Sequence, residues 1–174
     1  MERPADYRIV ALVVSTSLFM QYLDSSALVT ALPSMARGFG VSPTAITVVL
    51  TVYLVSLALF IPLGGLLAEH FGARRMFRIA LGLFLAGALA CAFAPSVPLL
   101  ICARIVQGAG GAIMLPVGRL IVVRSSRPSE LLSAMNWLMI PTIVGPMLGP
   151  LVGGVLTTMA SWRWIFALLS LIHI

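Results

Sequence analysis

Apolar residues run through this chain in long stretches broken by short polar segments, and the breaks predict where helices begin and end. After a polar start, Met1–Arg8, an apolar run extends from Ile9 to Leu32, broken only at Asp24, and Pro33 is expected to end it. Ser42-Pro43 is a helix-start signal for a second run, Thr44–Ala68. Further runs follow over Met76–Phe93, Leu99–Val123 and Leu131–Met159, and a sixth begins at Trp164. Each of the first five is long enough to cross a hydrocarbon core of about 30 Å, so the pattern predicts an all-α integral membrane protein. The sixth stretch, Trp164–Ile174, amounts to about 16 Å of helix, and the expectation is that the chain ends inside its sixth span.

Composition supports this reading. Of 174 residues, 60% are hydrophobic and only 9% charged, against about 25% charged in a soluble domain. All eleven basic residues are arginine. Without lysine the segment supplies neither a P-loop lysine nor a Schiff-base lysine, which excludes nucleotide-driven pumping and pyridoxal chemistry. The net charge of +6 does not indicate nucleic acid, because the arginines lie in short clusters between apolar runs. Their distribution sets an expected topology. Arg3, Arg8, Arg74, Arg75, Arg78, Arg119, Arg124 and Arg127 fall on one side and Arg37 and Arg163 on the other, placing the amino terminus in the cytoplasm. Glu2 and Asp6 dilute the positive start, and several spans follow it, so a cleaved signal peptide is not expected.

Asp24 and Arg104 are the two strongly ionisable residues well inside spans. A charge at the centre of a lone helix costs about 2.5–3.5 kcal/mol on insertion scales, so each needs a partner or water. Counting helical rise from the span ends puts both at one level in the outer half of the bilayer. Ser17, Gln21 and Asp24 share one face of the first span. Arg104, Gln107, Gly108 and Gly111 share one face of the fourth. Two readings stand at this point: a static buried pair, or a cavity-lining carboxylate that binds and releases protons.

The fifth span carries Gly145, Gly149 and Gly153 at four-residue spacing, interleaved with Pro141, Pro146 and Pro150. Such a stripe admits a close helix neighbour, and the prolines weaken the hydrogen-bond ladder, so both ordinary small-residue packing and a flexing or sliding helix fit it. Cys91 and Cys102 flank a short turn and are read as small apolar fillers. No metal-ligand spacing, nucleophilic triad or phosphate loop stands out, so no metal, cofactor or enzymatic activity is expected.

Several motifs resemble those of one family. Gly65-Leu66-Leu67-Ala68-Glu69-His70-Phe71-Gly72-Ala73-Arg74-Arg75 resembles the inner-loop signature of the major facilitator superfamily, with Glu69, His70 and Ala73 departing from the usual Asp and two basic residues. Leu100-x-x-x-Arg104-x-x-Gln107-Gly108-x-Gly110 resembles the fourth-helix motif of that family. The stretch Gly145-x-x-x-Gly149-Pro150-x-x-Gly153-Gly154 is similar to the fifth-helix motif associated with antiporters. Leu23-Asp24-Ser25-Ser26 through Ala31-Leu32-Pro33 is similar to the first helix of the drug:proton antiporter branches, with Ser26 and Thr30 replacing Thr and Asn. Trp162-Arg163-Trp164-Ile165-Phe166 is like the entry to the sixth helix of the fourteen-helix branch.

The resemblance implies an amino-terminal six-helix bundle of two inverted three-helix repeats, with the substrate cavity between it and a carboxy-terminal bundle that this chain lacks. It further implies a proton-coupled exporter of drug-like small molecules in a bacterial inner membrane, with protons, the lipid bilayer and the second bundle as partners. Asp24 would carry the proton, Arg104 would modulate it, and Gln21, Gln107, Gly108 and Gly111 would line the cavity. Gly65, Glu69, Gly72, Arg74 and Arg75 would form an inner-face latch. Gly145, Pro146, Gly149, Pro150, Gly153 and Gly154 would let the bundles rock. A symporter of the same fold, or a non-transporting receptor or assembly subunit in which Asp24 and Arg104 only hold helices together, are the competing readings.

Overall fold

The computed structural model of the chain describes residues 7–171. Regular structure among them is entirely helical: α1 (Tyr7–Phe39), α2 (Pro43–Ile46), α3 (Val48–Phe71), α4 (Ala73–Ala92), α5 (Val97–Ser125), α6 (Leu131–Met159) and α7 (Arg163–Leu171). Five apolar stretches among them are long enough to cross a bilayer, with α2 and α3 forming one such stretch over Pro43–Phe71. The end of the sixth expected span, residues 172–174, lies outside the described residues.

Three boundaries differ from the sequence expectation. The first helix does not stop at Pro33 but continues to Phe39. A proline inside a membrane helix is tolerated because neighbouring helices and side chains can re-satisfy the freed backbone group. The second span begins with the separate turn α2, where the Ser42 hydroxyl accepts the Ala45 N–H at 3.1 Å, and the helix restarts after Thr47. Between α3 and α4 the expected loop shrinks to one residue, Gly72, whose φ of 83° and ψ of 134° lie in a region essentially reserved for glycine.

Small residues decide which helices lie against each other. α1 packs along α6, while α5 packs along both α3 and α4. Lipid tails are as apolar as leucine, so close backbone approach and interhelical hydrogen bonds, rather than hydrophobicity, choose the partner. At Gly110 a Cβ would lie 2.5 Å from the Phe84 nitrogen, and at Gly87 one would lie 2.6 Å from the Gln107 nitrogen, so α4 and α5 meet backbone to backbone. Hydroxyls reinforce two seams. Ser56 of α3 donates to the Ile105 carbonyl of α5 at 2.8 Å, and Ser26 of α1 donates to the Gly145 carbonyl of α6 at 3.5 Å. If the two halves are exchanged, α1 maps onto α5 and α6 onto α3, so these seams are counterparts, as an inverted repeat requires.

The interior divides into two apolar cores. One, around Leu28, Met35, Ile46, Leu100, Trp162 and Phe166, occupies one end of the bundle. The other, around Leu18, Phe77, Phe84, Met114 and Val117, occupies the opposite end. On α1 the second core ends at Leu18 and the first begins at Met20; on α5 the switch falls between Ala103 and Ile113. The buried polar residues Arg104 and Gln107 lie within the α5 switch, and Gln21 and Asp24 lie on α1 just past its own.

Candidate buried polar site

Asp24 of α1 and Arg104 of α5, eighty positions apart in the chain, are joined at the junction of the two cores. Arg104 Nη1 donates to Asp24 Oδ2 at 2.6 Å, and both side chains are fully buried. The same nitrogen donates to Gln107 Oε1 at 2.7 Å, one helical turn along α5. Two aromatic rings flank the guanidinium: Tyr53 of α3 lies 4.9 Å from its carbon and Phe166 of α7 lies 4.8 Å away. Both distances fall within cation–π range, which strengthens when the cation is desolvated. The cation is thus held by four helices, through charge, amide and ring faces together.

The pair is incompletely satisfied. Asp24 Oδ1, Arg104 Nε and Nη2, Gln107 Nε2, Gln21 Oε1 and the Tyr53 hydroxyl are buried, and none has a hydrogen-bond partner among the described residues. A purely structural ion pair is stabilising only when its remaining donors and acceptors are engaged. Here a carboxylate oxygen, guanidinium nitrogens, two amides and a phenol are left available in one place.

The other predicted site residues divide by location. Gln21 lies against Gly111, where a Cβ would come within 3.1 Å of its Nε2, so these two join the cluster. Gly108, expected to line the cavity, faces α3. Its missing side chain is directed at α3, 2.7 Å from the Ser56 Cβ and 3.0 Å from the Tyr53 carbonyl, and its small size serves the helix contact. On α6, Gly145, Gly149 and Gly153 are buried against α1, where Tyr22, Ser26 and Thr30 cover them. Gly154, Pro146 and Pro150 take no part in that contact: Gly154 has open space beyond it, and the two prolines are exposed. The stripe therefore belongs to a seam inside this bundle.

Toward the end of α3, Gly65 faces open space, whereas a Cβ on its neighbour Gly64 would lie 3.2 Å from the Ile113 Cα. Glu69, Arg74 and Arg75 are exposed, and no ion pair among the described residues joins Glu69 to either arginine. Cys91 is buried and places its thiol 3.7 Å from Gln107 Oε1, whereas Cys102 is exposed; both are free. Sequence reasoning did not single out Tyr53 or Phe166. Tyr53 had a signal, since a phenol deep within an apolar span needs a polar neighbour, but Phe166 is one apolar residue among many until the fold sets it over Arg104.

The arrangement of helices and buried charge has relatives of known family. Residues 14–174 match the family model of the Major Facilitator Superfamily. The chain is 44% identical over 163 residues to the MdtD protein of Klebsiella pneumoniae subsp. pneumoniae, and 42% identical over 165 residues to that of Salmonella paratyphi B. Both relatives carry a multidrug-resistance name. These alignments cover 94% and 95% of this chain but 35% of each relative, so the chain spans about a third of their length. A match over nearly all of its residues, on a bundle of apolar helices, establishes that the chain belongs to the Major Facilitator Superfamily.

Proposed function

We propose that this chain is the amino-terminal part of a proton-coupled efflux antiporter for drug-like small molecules, with Asp24 as the group that takes up and releases the coupled proton. The observation that carries the reading is the Asp24–Arg104 pair, fully buried yet with one carboxylate oxygen and two guanidinium nitrogens left without partners. In the ionised pair the two charges offset each other across α1 and α5. A proton on Asp24 removes its half of that balance and frees Arg104 Nη1 to rely on Gln107, while the Tyr53 and Phe166 rings keep the guanidinium in place. Protonation thereby changes the force between two helices without ejecting the cation.

The multidrug-resistance names of the relatives support a drug-like substrate, exported across a bacterial inner membrane. The arginine count supports a cytoplasmic amino terminus. The exposed Glu69, Arg74 and Arg75 are free to pair with a second bundle as an inner-face latch. The α1–α6 seam at Gly145, Gly149 and Gly153 gives α6 a rail along which to shift.

The test uses the full-length protein containing this sequence, reconstituted in sealed vesicles. Drug addition should drive proton movement in the parent, and Asp24→Asn should abolish that movement while inserting normally. Proton coupling that persists in the variant refutes the assignment and leaves Asp24 as a structural partner of Arg104.

A further inference from the structure

At the end of the bundle where α1 and α4 close and α7 begins, the turn before α7 ties three helices together. Trp162 is buried there against Phe39 of α1, with ring centres 5.4 Å apart. Gly38 leaves room for the indole, since a Cβ at that position would lie 3.2 Å from its Nε1. Arg163, the first residue of α7, lies over the Trp162 ring at 4.3 Å and reaches the Phe39 ring at 5.9 Å. Its Nη2 donates to the Ala94 carbonyl at 3.1 Å. Ala94 is fully buried just past the close of α4. Carbonyls at a helix end lack helical donors, and a cation from another helix serves both the oxygen and the negative end of the helix dipole. One arginine therefore joins α1, α4 and α7.

We propose that Arg163 is a positioning residue for the buried ion pair: by fixing where α7 starts against α4, it holds the Phe166 ring on the Arg104 guanidinium. The proposal rests on the reading of Asp24 as the proton-carrying group. Trp162 and Phe166 are four residues apart, so they share a face, and their rings meet edge-on at 6.1 Å. Phe166 in turn lies 4.8 Å from the Arg104 guanidinium, which donates to Asp24. Contacts therefore run without a break from the Ala94 carbonyl through Arg163, Trp162 and Phe166 to the charged pair. α7 packs chiefly on α4. Its other buried side chains, Ile165 and Leu169 among them, make non-directional apolar contacts that tolerate small slides along the helix axis. A hydrogen bond from a guanidinium to a carbonyl is directional, so it sets the height of α7. A slip of one residue moves the ring by about 1.5 Å, enough to weaken a cation–π contact that depends on the cation lying over the ring face.

The test measures drug-driven proton movement per inserted molecule of the full-length protein in sealed vesicles. Arg163→Ala should lower that rate several-fold, and Arg163→Lys, which keeps a donor and a cation beside Trp162, should restore part of it. In a Phe166→Leu background Arg163→Ala should lower the rate no further, because the ring it positions is gone. Arg37→Gln, which removes an exposed charge at the same end, should leave the rate unchanged. An unaltered rate in Arg163→Ala, a lysine variant as impaired as the alanine one, or an equal fall in both backgrounds overturns the proposal, while Asp24→Asn reports separately on the proton site. Unfolding of the purified variants gives a readout independent of transport. The drop in melting temperature caused by Arg163→Ala should shrink in an Arg104→Gln background, since part of it comes from the loosened cation; distant sites without a physical link simply add. Equal drops in the two backgrounds refute the link even if Asp24 proves not to carry the proton. Where Arg163→Ala does not accumulate, Arg163→Gln takes its place in both measurements, with the same expected outcomes.

Discussion

The Arg104 guanidinium lies 4.8 Å from the centre of the Phe166 ring, so α7 reaches the buried charge that α1 and α5 share. Phe166 is fully buried and also meets Trp162 edge-on at 6.1 Å, which places it between the apolar core and the cation. Phe166→Ala should cost about 3–5 kcal/mol as a core truncation, while Phe166→Tyr, which keeps the ring face, should cost less. Thermal unfolding of the purified full-length protein separates the two; equal losses would mean that keeping the ring confers nothing and that Phe166 is not packed on the cation as described.

The Asp24–Arg104 pair should behave as one unit. Removing one partner leaves the other charge buried and alone, a loss of about 3–5 kcal/mol. Asp24→Asn with Arg104→Gln should therefore be less destabilising than the two single losses added together, with an interaction energy of about 0.5–3 kcal/mol. A double-substitution cycle on unfolding free energy checks this. Simple additivity would mean that the 2.6 Å contact carries no coupling.

Two glycines on α6 should respond in opposite ways. A methyl at Gly149 collides with the Ser26 side chain and would lie 2.8 Å from the Ala27 nitrogen, whereas Gly154 has nothing within 4 Å. Gly149→Ala should separate α1 from α6 and lower the level of folded protein. Gly154→Ala should be neutral or stabilising, by up to about 1 kcal/mol from helix propensity. Membrane abundance and unfolding temperature of both variants check the seam, and a tolerated Gly149→Ala would show that α1 and α6 are not in close contact.

The turn between α3 and α4 and the helix before it offer a fourth comparison. Gly72 adopts φ 83° and ψ 134°, so Gly72→Ala should cost about 1–3 kcal/mol in backbone strain. Gly65→Ala, in open space, should leave stability unchanged, and Gly64→Ala should not, because the Ile113 backbone and Pro116 stand in the way. The order of unfolding temperatures across these three variants is the measurement. A Gly65→Ala loss larger than that of Gly64→Ala would contradict the packing of α3 on α5.

The sequence alone was enough for the class of protein and for the positions of its helices, because transfer of a peptide group into hydrocarbon leaves a long apolar run only the helix as a way to satisfy its backbone. α6 follows the apolar run from Leu131 to Met159 residue for residue. Asp24 and Arg104 were visible for the same reason: in an apolar span a charge is an exception that needs a counterpart. What the run of residues could not contain was direction around each helix axis and choice of neighbour. Periodicity put Gly108 and Gln107 on a common stripe, but only packing turned Gly108 toward Ser56 and left Gln107 with Arg104. Glycine spacing announced a close approach by α6 without saying that α1 was its partner, and Gly64 and Gly65 are indistinguishable until α5 lies beside one of them. Tyr53 and Phe166 gained their place beside Arg104 from tertiary structure, since an aromatic ring on an apolar helix acquires a polar role only when another helix sets a cation over its face.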